Sequence, residues 1–85
     1  MRVDVTTSFQ RSFKKLPPAL KERVIQRLAL FSADPFDPRL RTHKLKGKLQ
    51  HCWSFSVTDA YRVLLTFPQV GVALLHDVGP HDIYR

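Results

Sequence analysis

Thr42-His43-Lys44-Leu45-Lys46-Gly47-Lys48-Leu49 divides the chain into two halves of different periodicity. Before it, apolar residues recur at helical spacing; after it, they alternate as strand residues do. The stretch from Arg39 to Lys48 holds five Lys/Arg and a histidine with no acidic residue, a single-sign patch suited to a polyanion. Such a change of period across one basic connector predicts an α+β fold, helical in its first half and sheet in its second.

Upstream, Arg2 to Thr6 alternates polar and apolar around Val3 and Val5, which predicts a short strand that pairs with a later segment. Thr7-Ser8-Phe9-Gln10 has the form of a capping box with Thr7 as cap, and Phe9, Phe13 and Leu16 then share a face of a first helix of about two turns. Pro17 ends it, and Pro18 suits the first turn of a second helix running to about Ser32. There Leu20, Val24, Leu28 and Phe31 form the buried side, while Lys21, Glu22, Gln26 and Arg27 face water. The two helices form an antiparallel hairpin. Asp34-Pro35 and Asp37-Pro38 then impose a stiff non-helical connector.

Downstream, Trp53, Phe55 and Val57 alternate with Cys52, Ser54 and Ser56 in a strand spanning Gln50 to Thr58. A tight connection at Thr58-Asp59-Ala60 leads to a strand from Tyr61 to Phe67, with Tyr61, Val63, Leu65 and Phe67 on one face. Pro68-Gln69-Val70-Gly71 turns the chain into a last strand from Val72 to Val78. With the N-terminal strand, these predict a small, mostly antiparallel sheet of four strands carrying the helical hairpin.

At 85 residues the chain makes one domain, residues 1–85, with a modest core. Charged residues at 25% and apolar residues at 44% fit a folded chain. Fourteen Lys/Arg against seven Asp/Glu give a net charge of +7, enough to attract nucleic acid or an acidic protein. Cys52 is the sole cysteine, so no intramolecular disulfide is possible, as befits a reducing compartment. No stretch approaches a signal peptide or a membrane span; the expectation is a soluble cytoplasmic protein.

Lys44, Lys46 and Lys48 alternate, so in an extended segment they point the same way and line a phosphate track, unless they are merely a solvated loop. Arg62, inside an apolar strand, reaches the rim, pairs with Asp59 or Asp77, or enters a cleft to hold a phosphate. His81 and Tyr84 follow the last strand, where an imidazole can exchange a proton and a phenol can position RNA. Trp53 serves as core or as a platform for a base. His43, His51, His76 and Cys52 lack the spacing of a zinc site, and the acidic residues are scattered, so neither metal nor cofactor is expected.

His43-Lys44-Leu45-Lys46-Gly47, Trp53-Ser54-Phe55, Tyr61-Arg62-Val63-Leu64 and Asp77-Val78-Gly79-Pro80-His81-Asp82-Ile83-Tyr84-Arg85, in this order, resemble the RelE/ParE superfamily of type II toxins, especially its RelE, YoeB and YafQ branches. The resemblance covers essentially the whole chain. It implies a metal-free endoribonuclease that cuts messenger RNA on the ribosome and is neutralised by a cognate antitoxin, with the free toxin a monomer. Arg62 matches a phosphate-binding arginine, His81 and His43 match histidines of the YafQ pattern, and Tyr84 matches a catalytic tyrosine. Lys44, Lys46 and Lys48 fall near basic residues of RelE. Where YafQ has an arginine two positions before the glycine this chain has Asp77, which leaves the phosphate contact to Arg62.

Those roles translate into His81 as general acid, Arg62 with Lys46 as stabilisers of the charged transition state, and His43, Lys44 or Lys48 as base. Arg41, Lys44, Lys48 and Trp53 bind RNA in this scheme. Two alternatives stay open: a ParE-like inhibitor of DNA gyrase, and an RNA-binding module without catalysis.

Overall fold

The computed structural model describes residues 1–82, so Tyr84 lies outside the described residues. The elements are β1 (Arg2–Val5), α1 (Thr7–Lys14), α2 (Pro18–Ala33), β2 (His43–Lys44), β3 (Trp53–Ser56), β4 (Tyr61–Gln69) and β5 (Val72–Pro80), with 3-10 turns at Pro38–Leu40 and Gly47–Leu49. The class is α+β, and two helices pack on one mixed sheet of order β1-β5-β4-β3-β2. β1 runs parallel to β5, and the remaining pairs are antiparallel.

The sheet has five strands rather than the expected four. The extra strand is β2, where His43 and Lys44 pair with Ser54 and Trp53. Two residues carry no detectable periodicity, so only the partner strand reveals them.

The first helix begins one residue earlier than its capping box implies. Thr6, not Thr7, is the cap: its Oγ1 accepts from the Phe9 N–H at 3.0 Å and donates to the His76 carbonyl at 3.1 Å. Gln10 therefore falls past the third helical position and has no reciprocal capping role. α1 packs along β5 through Phe9, while α2 drives Val24 and Phe31 into the core. Phe31 is fully buried, its ring 4.8 Å from that of Phe55 and 6.3 Å from that of Phe67. The expected inward faces hold at Phe55, Val57, Val63 and Leu65, which have no exposed surface, and Ala73 and Leu75 of β5 join them.

β4 continues to Gln69, two residues beyond expectation, with Pro68 inside it. The ladder lapses between Thr66 and Gln69, so the missing proline N–H costs no bond. The turn is Val70-Gly71, and Gly71 at φ +80 supplies the left-handed conformation its second position requires. No described helix is long and apolar enough to cross a membrane.

Candidate nucleic-acid interface

The sheet face turned away from the helices carries the polar groups. Register sets His43 beside Ser54, Ser54 beside Leu64, Ser56 beside Arg62 and Arg62 beside Gly79. Cross-strand neighbours share a face, as do residues two apart on a strand, so His43, Ser56 and Arg62 look out together, with Ser54 fully buried between them. Arg62 is half-buried and pairs with neither Asp59 nor Asp77. Its Nη1 donates to the Thr58 carbonyl at 2.5 Å and to the Tyr61 carbonyl at 3.1 Å, so the guanidinium braces the β3–β4 turn from the rim. Asp77 is engaged elsewhere: its Oδ1 accepts from Ser12 Oγ at 2.5 Å and from the Val78 N–H at 2.9 Å, tying α1 to β5.

His81 follows β5 directly. Its N–H donates to the Ala60 carbonyl at 2.9 Å, which anchors the backbone beside the turn that Arg62 braces while the imidazole stays exposed. His43 Nδ1 lies 2.9 Å from the Arg41 carbonyl. A carbonyl only accepts, so Nδ1 is the donor, and in a neutral ring that leaves Nε2 as the acceptor, the tautomer a general base needs.

The lysines arrange differently from the expected wall. Lys44 pairs with Trp53 and Trp53 with Leu65, which puts Lys44 in a row directed to the helical side. Gly47 at φ +73 opens a 3-10 turn that breaks the alternation before Lys48. Lys46 and Lys48 flank the start of β3, whereas Arg62 pairs with its end, roughly 10 Å away at about 3.3 Å per residue. Trp53 packs edge-on against Phe36 and Phe67, with centroids 5.6 and 5.5 Å away, and so belongs to an aromatic cluster.

Arg41 does meet other cations, though not the lysines. With Arg23, Arg27 and Arg39 it lines a cavity of about 250 Å³ between α2 and the β3–β4 turn. Arg27, expected in open water, is half-buried, and its Nη1 donates to the Arg39 carbonyl at 3.0 Å. Burial, then the charges of Arg23 and Arg39, pull its pKa below the usual arginine value. The sequence held a signal for this group: Arg23 and Arg27 stand one helical turn apart, and Arg39 and Arg41 are separated by one residue. Among the described residues, no three of His, Cys, Asp and Glu are arranged to hold a metal ion.

No protein-family model and no curated protein sequence matches the chain. Solved structures do. A YoeB/ParE toxin from Agrobacterium tumefaciens is similar at a TM-score of 0.79 and 18% identity, covering 95% of this chain and 99% of the other. The RelBE2 toxin–antitoxin complex from Mycobacterium tuberculosis matches at 0.78 and 23%, covering 94% and 96%. YafQ from E. coli matches at 0.77 and 12%, covering 95% and 94%. TM-scores of 0.77 to 0.79 with near-complete mutual coverage show that this chain has the fold of the RelE, YoeB and YafQ toxins.

Proposed function

We propose that the chain is the toxin of a type II toxin–antitoxin system and a metal-independent endoribonuclease acting on ribosome-bound messenger RNA. What supports this reading is that Arg62, held by two carbonyls, and His81, its N–H tied to Ala60, both adjoin the β3–β4 turn, at one end of the sheet whose open face also bears His43. In the reaction a general base, for which His43, Lys44 and Lys48 are the candidates, takes the proton of a ribose 2′-hydroxyl, whose oxygen attacks the adjacent phosphorus. Arg62 stabilises the charge that gathers on the non-bridging oxygens. His81 gives a proton to the departing 5′-oxygen, leaving a 2′,3′-cyclic phosphate and a free 5′-hydroxyl. Tyr84 lies outside the described residues, and the role proposed for it is to position RNA. Lys44, Lys46 and Lys48 contact phosphates farther along the message. The partners are a cognate antitoxin, as in the RelBE2 complex among the structural neighbours, and the ribosome with its message.

Primer extension on ribosome-bound messages tests this. Wild-type protein gives new 5′ ends, and His81→Ala slows their appearance about 10²- to 10⁴-fold with no loss of folding, since only the exposed imidazole is removed. Arg62→Ala has a comparable effect. Unchanged cutting by His81→Ala removes that residue from the mechanism. A DNA-damage response with intact messages supports the ParE-like reading that the Agrobacterium neighbour brings with it.

A further inference from the structure

The arginine cavity has properties that a solvated basic surface lacks. Arg23 Nε donates to the Val57 carbonyl at 3.2 Å and Arg27 Nη1 to the Arg39 carbonyl, so the backbone fixes both groups while each spends one of its five donors. Arg39 is oriented by a two-pronged pair with Asp37, at 3.0 Å from Nε to Oδ1 and 2.8 Å from Nη2 to Oδ2. The Arg41 guanidinium makes no hydrogen bond or ion pair among the described residues. Against these four cations stand two carboxylates, Asp37 on Arg39 and Asp59 in the wall, leaving two positive charges uncompensated.

We infer that this cavity holds one backbone phosphate of a single-stranded RNA, beside the bond cleaved at Arg62 and separate from it. The inference rests on the ribonuclease reading for its substrate and goes beyond it in placing a second anchoring point. Several pre-oriented guanidiniums match the spread oxygens of a phosphodiester. Ser56 and Thr58 also line the cavity, at the strand end and turn that face α2. An acidic protein suits it less well. The one apolar residue of the lining, Val57, is fully buried, so a protein partner finds no pocket for an apolar anchor. Asp59 repels a bare anion but accepts a hydrogen bond from a ribose 2′-hydroxyl, which favours RNA over DNA. Thr58 joins the two sites: its carbonyl takes the Arg62 guanidinium and it also lines the cavity.

The test is fluorescence anisotropy of a short labelled single-stranded RNA across a salt series, in a His81→Ala background that prevents cleavage. Arg23→Gln, Arg41→Gln and the double variant are compared. One lost phosphate contact flattens the plot of log K against log salt by about 0.7. All three variants are expected to lose that same single step, and Asp59→Asn to narrow the preference for RNA over DNA of equal length. Unchanged slopes in variants that melt normally overturn the proposal, as does loss of poly-glutamate binding with RNA binding intact, which would assign the cavity to an acidic protein. If Arg23→Gln does not fold, Arg41→Gln carries the test, since its guanidinium braces nothing. A flattened slope together with no cleavage by the wild type keeps the cavity and removes the ribonuclease; cleavage together with unchanged slopes does the reverse.

Discussion

Replacing Arg41 by glycine separates the two things this residue does. Arg41 leaves the 3-10 turn at φ 54 and ψ 38, among the described residues the single non-glycine with positive φ. Its N–H reaches the Pro38 carbonyl at 3.3 Å and its own carbonyl receives His43 Nδ1, so the conformation is held from both sides. A side chain in the left-handed region costs about 1–2 kcal/mol. Glycine escapes that cost but loses about 0.4–1 kcal/mol to the greater freedom of its unfolded chain. Arg41→Gly is therefore expected to be more stable than Arg41→Ala by about 0.5–1 kcal/mol. In a domain of this size that is about 2–8 °C in Tm, readable by circular dichroism. Both variants lack the guanidinium, so both weaken RNA binding equally in the anisotropy assay. An alanine variant that melts at or above the glycine variant refutes the strain argument. Wild-type RNA affinity in either variant refutes the role of the side chain.

Phe31→Ala empties the centre of the aromatic stack with Phe55 and Phe67 and should cost about 3–5 kcal/mol in urea unfolding, a large share of a small domain's stability; a loss below about 1 kcal/mol would mean the stack is not the core. The Arg39 side chain, then the Arg39 backbone N–H, hold the Asp37 carboxyl well below its usual range, at about 2. Its folded pKa is depressed, so its stabilisation is present above the unfolded value and is lost as pH falls from about 4 through about 2. Asp37→Asn should thus melt below wild type at neutral pH and together with it near pH 2. A gap that persists at pH 2 would place the effect in packing instead of charge.

The kinds of element were legible along the chain because periodicity is a local property: each residue's neighbours three, four or two positions away decide whether a face is apolar. Thus Val24 and Phe31 in α2, and Phe55, Val63 and Leu65 in the sheet, point inward as their spacing demands. Arg62 and His81 stood out by type, as a cation in an apolar strand and an imidazole just past the last one. What depended on distant segments meeting was decided by the tertiary structure alone. The two-residue β2 exists only as an edge partner of β3, and Thr6 outcompetes Thr7 as cap because its hydroxyl also bonds the His76 carbonyl on β5. Gly47 turns the chain and parts Lys48 from Lys44 and Lys46, with which it alternates in the sequence. The cationic cavity gathers Arg23 and Arg27 from α2 with Arg39 and Arg41 from beyond it, a helix and a turn that pack against the same β3–β4 corner. Sequence separation hides that meeting, since charge pairing at a cavity depends on distance in space and not along the chain.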